Sequence, residues 1–106
     1  MKAQKMDKSS ILMVDEGRID LSNSHLLKEK LQALYEEGYE DITLNFGMVT
    51  GIDSAGLGQL LLFQKKLKDR GGRLRIINIT NKYIEKMFKM IHLYKVIDIE
   101  GVPGSE

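Results

Sequence analysis

The stretch Ile42-Thr-Leu-Asn-Phe-Gly-Met-Val-Thr-Gly-Ile-Asp-Ser-Ala-Gly-Leu-Gly-Gln-Leu-Leu-Leu62 changes its hydrophobic period partway along. Ile42, Leu44 and Phe46 alternate with Thr43 and Asn45, the period-two pattern of a half-buried strand. Leu57, Leu60, Leu61, Phe63 and Leu67 then recur at near-helical spacing. Asp53 and Ser54 stand between the two patterns, so Ser54 falls at or beside a helix N-terminus. The first backbone N–H groups of a helix have no intrahelical partner, and the helix dipole presents its positive end there. Such a position suits a serine cap, and it suits a phosphate equally well.

Gly56 and Gly58 fall at the start of this helix. Each costs about 1 kcal/mol against alanine, a cost more easily understood where something comes close to this backbone. Two explanations stand level: the helix packs against the chain's own sheet, or a protein partner lies over the loop.

Outward toward the N-terminus, the helix is preceded by the loop Met48 to Asp53 and the strand Asp41 to Phe46. An earlier helix carries Leu27, Leu31, Leu34 and Tyr35 on one face. Ser22, Asn23 and Ser24 supply its cap chemistry, and Gly38 is a left-handed stop. Gly17-Arg18-Ile19-Asp20 leads into it, after a strand at Ile11 to Val14. Residues 1–10 are polar and predict a short weak strand or a loose end.

Toward the C-terminus, the central helix runs from about Ser54 to Asp69, and Arg70-Gly71-Gly72 stops it. Arg73 to Ile79 is a strand with Leu74 and Ile76 on one side. Thr80-Asn81 caps a third helix bearing Ile84, Met87, Phe88 and Ile91. Val96 to Ile99 is a last strand, and 101–106 is a tail containing Pro103. Strands alternating with helices predict right-handed crossovers, hence an α/β fold with a small mixed sheet and helices mainly on one side. Leu44, Phe46, Leu57, Leu61, Ile76, Phe88 and Ile91 are expected in its core.

A chain of 106 residues is expected to form one domain, with a core over about 11–99. The net charge of +1 gives no bulk attraction to a polyanion. Cysteine is absent, which excludes a disulfide framework and a thiolate metal site. The N-terminus lacks the apolar stretch of a signal peptide, and no apolar run approaches the ~20 residues of a membrane helix. The expectation is a cytoplasmic, bacterial-type protein.

Enzyme chemistry finds little support. His25 and His92 come with no evident nucleophile and orienting acid, and read as surface histidines. Asp20 and Asp53 can approach one another at one end of the sheet, but no metal triad is evident. Gly56-Leu57-Gly58 lacks the third glycine of a dinucleotide fingerprint, and no P-loop Gly-Lys-Ser/Thr follows. Lys65, Lys66, Lys68, Arg70, Arg73 and Arg75 read as cations at a helix C-terminus and a solvated face, not as a nucleic-acid patch. Met87 and Met90 read as core and edge of the third helix. Thr50 reads as a solvated loop hydroxyl.

Ile52-Asp53-Ser54-Ala55-Gly56-Leu57-Gly58 resembles the signature of the STAS domain, in particular the bacterial anti-sigma factor antagonists. The resemblance runs from about Ile11 to Ile99, and Gly17-Arg18-Ile19-Asp20 is similar to the family's Gly-x-Ile-Asp. It implies a sheet of four to five strands with about three to four helices mainly on one face, and places an edge strand at the N-terminus. It also implies a non-enzymatic switch protein with no cofactor. Ser54 would be the phosphorylated serine, with capping as its second job. Asp53 would be a cap or a loop brace. Asp20, Asp53, Ser54, Ala55, Gly56, Leu57 and Gly58 would meet the partner. The implied partners are an anti-sigma factor serine kinase of the histidine-kinase-like ATPase fold and a PP2C-type serine phosphatase. Nucleic acid and membrane are not among them, and the expected state is a monomer or weak homodimer. Two departures stand out: Asn45-Phe46-Gly47 replaces a common Asp-Leu-Ser, and Asp15 replaces a commonly apolar residue. The alternatives are a STAS accessory subunit of a lipid-transport ATPase complex, with Ser54 a plain cap, and a small nucleotide-binding sensor.

Overall fold

The computed structural model describes residues 1–101. The chain runs β1 (Lys2–Met6), β2 (Ser9–Met13), β3 (Arg18–Ile19), α1 (Ser24–Glu36), β4 (Asp41–Asn45), β5 (Gly51–Ile52), α2 (Ser54–Asp69), β6 (Arg73–Ile77), α3 (Lys82–Met90), a 3-10 turn (Leu93–Lys95) and β7 (Asp98–Ile99). The expected tail lies, beyond Gly101, outside the described residues.

Alternation along the strands decides which face of the sheet is buried. β2 buries Ser10 and Leu12, β4 buries Ile42 and Leu44, and β6 buries Leu74 and Ile76. The register sets Ser10, Ile42 and Leu74 side by side, and Leu12, Leu44, Ile76 and Ile99 in the next row. One face is therefore continuously buried, while Ile11 and Met13 on the other stay half-exposed. The sheet order is β1-β2-β4-β6-β7, with β1 antiparallel and the other neighbours parallel. From β2 to β7 each step goes the same way, so right-handed crossovers put α1, α2 and α3 on one face. This is the expected small mixed sheet, with five strands. The N-terminal stretch is a full edge strand, turned into β2 by a hairpin with Asp7 at φ 48°.

The helices seat their apolar faces on that sheet. α1 buries Leu27, Leu31 and Leu34, as its spacing predicts. It stops at Gly38, whose φ of 96° lets Tyr39 N–H turn back to the Leu34 carbonyl. Asn81 caps α3, its side chain accepting from the Tyr83 and Ile84 N–H groups.

Three expected core residues are not buried. Leu57 is only partly covered, Leu61 is 47% exposed and Ile91 is 48% exposed. The inward face of α2 is instead Gly56, Leu60, Phe63 and Leu67. Leu60-Leu61-Leu62-Phe63 is an unbroken apolar run, which spacing alone can phase in more than one way. Gly56 resolves it, because only the bare glycine fits against the sheet. Ile91 lies one residue past α3, at its C-cap, where the helical face no longer continues. Leu44, Phe46, Ile76 and Phe88 are buried as expected.

Candidate functional site

β3 and β5 form a second, two-stranded parallel sheet that the sequence reading did not anticipate, pairing Arg18 with Gly51 and Ile19 with Ile52. It joins the loop entering α1 to the loop entering α2. The Gly17 carbonyl accepts from the Thr50 N–H at 2.6 Å and from the Thr50 hydroxyl at 2.9 Å. Thr50 is exposed, as its reading as a solvated loop hydroxyl expects, and it also braces the two loops. The Asp53 N–H donates to the Ile19 carbonyl at 3.0 Å, and α2 begins at the next residue.

Asp53 is the N-cap of α2, with the extended backbone a cap needs. Its Oδ1 accepts from the Ala55 N–H at 2.9 Å and the Gly56 N–H at 3.1 Å. Its Oδ2 accepts from the Leu21 N–H at 3.0 Å. Asp53 is therefore both cap and brace. Ser54 occupies the first helical position and is exposed. The capping job expected of Ser54 belongs to Asp53, since a cap residue must precede the helix.

Asp20 lies on the neighbouring loop. Its Oδ1 accepts from the Ser22 hydroxyl at 2.5 Å and the Ser22 N–H at 3.0 Å, and Oδ2 lies 3.6 Å from Arg18 Nε. These bonds, the Ser22 hydroxyl first, hold its carboxyl below the ordinary value of 3.8. Asn23 precedes α1 but does not cap it with its side chain: Oδ1 accepts from the Asp20 N–H and Nδ2 donates to the Arg18 carbonyl. The expected cap chemistry stabilises the loop instead. Asp20 and Asp53 do come together at one end of the sheet, through the Asp20–Leu21 peptide that Asp53 holds.

The two glycines separate cleanly. A Cβ on Gly56 would lie 2.6 Å from Ile52 Cγ1 and 2.9 Å from Ile19 Cγ2, so Gly56 serves packing on β3 and β5. A Cβ on Gly58 would meet nothing within 4 Å, and Gly58 is exposed. The fold does not require that glycine. Ala55 and Leu57 are partly buried beside Ser54.

Two features of the site escape sequence reasoning. Leu21 is 82% exposed at the position Asp53 holds, an apolar residue among polar loop neighbours that periodicity does not register. Asn45 Oδ1 accepts from the Gly47 N–H at 2.9 Å and the Asn78 side chain at 3.2 Å, tying the turn after β4 to the end of β6. Asp15, the other departure from the family pattern, lies 3.3 Å from the Met1 amino group.

His25 and His92 are exposed. Several of the basic residues have partners within the chain: Lys65 pairs with Asp69, Arg73 and Arg75 share Asp98, and Arg70 stacks 3.6 Å above the Tyr35 ring. Among the described residues no group of three or more His, Cys, Asp or Glu could hold a metal, and no helix is long and apolar enough to cross a membrane.

The STAS domain family model matches residues 2–103. The anti-sigma-B factor antagonist of Bacillus subtilis (strain 168) is 33% identical over 97 residues, spanning 92% of this chain and 87% of that protein. Among solved structures, the Thermotoga maritima protein TM1081 superposes with a TM-score of 0.81 at 25% identity, covering 92% of this chain and 83% of that one. The Bacillus cell fate determinant SpoIIAA shares the fold in its unphosphorylated form (TM-score 0.70, 17% identity, 95% and 87% covered) and in its phosphorylated form (0.69, 18%, 92% and 88%).

Proposed function

The chain belongs to the STAS-domain family, and on that footing we propose that it is an anti-sigma factor antagonist switched by phosphorylation of Ser54. Unphosphorylated, it binds an anti-sigma factor of the histidine-kinase-like ATPase type and so frees a sigma factor. The kinase activity of that partner modifies Ser54, and a PP2C-type phosphatase reverses it. It carries out this role in the cytoplasm.

The observation that carries this reading is the exposed Ser54 at the first position of α2, beside the capping carboxylate of Asp53. Phosphate adds about −1.5 to −2 charges at neutral pH. The dipole end of α2 tolerates an anion, so the fold persists. A partner surface shaped for a hydroxyl does not tolerate it, because a desolvated unpaired charge is costly. On this reading Asp20, Asp53, Ala55, Leu57 and Gly58 make up the rest of the contact surface, and buried Gly56 lets the first turn of α2 pack on Ile19 and Ile52.

The test is affinity capture from the native cell with Ser54→Ala and Ser54→Asp baits. The alanine bait should retain a histidine-kinase-like ATPase that the aspartate bait does not. A transporter ATPase retained equally by both would overturn the reading.

A further inference from the structure

The outward stripe of α2 continues well past Ser54. Ser54, Gly58, Leu61, Lys65 and Lys68 recur at i, i+4, i+7, i+11 and i+14, all exposed, opposite the buried Gly56, Leu60, Phe63 and Leu67. At ~1.5 Å per residue the stripe extends roughly 21 Å. Its far end borders an open groove of about 670 Å³ between α2 and the segment from the 3-10 turn to β7.

The groove combines apolar surface with surplus positive charge. Leu61 is 47% exposed and Val96 52% exposed, and both line it. Lys65 pairs with Asp69 at 3.4 Å, and Arg73 with Asp98 at 2.9 Å. Lys68 and Lys95, also lining it, form no ion pair among the described residues. Two cations are therefore left over beside two uncovered apolar side chains. A phosphate site would draw on a helix N-terminus. This groove borders the C-terminal half of α2, so an anion here depends on separate lysine side chains. That arrangement fits spaced carboxylates better than a compact dianion.

We propose that this groove is a second docking site, which receives an acidic amphipathic segment of the same partner that covers Ser54. Carboxylates of that segment meet Lys68 and Lys95, and its apolar side chains cover Leu61 and Val96. The identity of the partner rests on the partner-switch reading; the chemistry of the groove does not. Two points of contact on one partner raise its effective concentration at each.

The experiment is a titration of the isotopically labelled protein, followed by amide NMR, with a peptide of Leu-Glu-Glu repeats and its Leu-Lys-Lys counterpart. The acidic peptide should shift the amides of Leu61, Lys68, Lys95 and Val96, and the basic one should not. The Lys68→Glu/Lys95→Glu variant should bind the acidic peptide about tenfold more weakly, the scale of two exposed charge pairs removed and reversed. Lys68→Ala/Lys95→Ala should give a smaller loss in the same direction and serves if the reversal disturbs folding. Ser54→Asp should leave peptide affinity unchanged, which separates the groove from the switch. Equal binding of both peptides, shifts confined to other surfaces, or unaltered affinity in both lysine variants would each overturn the proposal and leave the Ser54 reading standing.

Discussion

Oδ2 of Asp53 accepts a hydrogen bond from the backbone N–H of Leu21 at 3.0 Å, across 32 residues of sequence. Oδ1 of the same carboxylate caps α2. One side chain thus fixes the loop entering α1 to the helical turn that carries Ser54. Losing a cap costs about 0.5–2 kcal/mol, and a further hydrogen bond about 1 kcal/mol. Asp53→Ala should therefore destabilise the protein by about 2 kcal/mol in urea denaturation, and Asp53→Asn by less, since one acceptor oxygen remains. Equal stability of Asp53→Ala and wild type would remove the brace from this account.

Gly56 and Gly58 should respond in opposite directions. Alanine at Gly56 forces a methyl between Ile52 and Ile19, an overpacking that typically costs about 1–3 kcal/mol. Alanine at Gly58 enters open space and gains helix propensity, up to about 1 kcal/mol. Thermal melts would read both signs. Because the fold does not need Gly58, a loss of partner affinity in the stabilised Gly58→Ala protein is the expected mark of close partner approach.

The phase of α2 predicts a contrast between adjacent leucines. Leu60 is fully buried and Leu61 is 47% exposed. Leu60→Ala should cost about 2–5 kcal/mol, while Leu61→Ala should stay within about 0.5 kcal/mol. Comparable losses at both sites would mean that the face through Gly56, Leu60, Phe63 and Leu67 is not the one packed on the sheet.

These leucines mark where sequence reading succeeds and stops. The start of α2 at Ser54, the alternation of Leu44 with its polar neighbours and the stop at Gly38 are local, and local spacing exposes them. The inward face of α2 is not local. It depends on Gly56 meeting Ile19 and Ile52, residues on two strands that pair only in three dimensions. The same pairing of β3 with β5 is too short, at two residues each, to leave a periodic trace. The start of α2 and the capping acid Asp53 were legible through the motif around Ser54. Leu21 was not, because its place beside the motif comes from the Asp53 hydrogen bond and from no spacing within the chain.

Asp20 supplies a pH-dependent prediction. Its carboxyl is held below the ordinary 3.8, chiefly by the Ser22 hydroxyl. A depressed folded value means that the ionised form stabilises the fold above the ordinary value, and that this contribution is lost as pH falls through the depressed one. The stability difference between wild type and Asp20→Asn should therefore be present at neutral pH and shrink in acid below 3.8. A difference that stays constant down through that range would show that the charge of Asp20 is not what Ser22 stabilises.

The most direct test of the proposed switch is calorimetric titration of the proposed ATPase partner, once purified, with two forms of this protein, unmodified and stoichiometrically phosphorylated on Ser54. A phosphate buried against a surface shaped for a hydroxyl should cost at least ~3 kcal/mol, which weakens binding more than a hundredfold. Circular dichroism of the two forms should superimpose, since the helix N-terminus accommodates the anion. The account predicts tight binding by the unmodified protein and loss of binding by the phosphorylated one with its fold intact. Equal affinity of the two forms would contradict it.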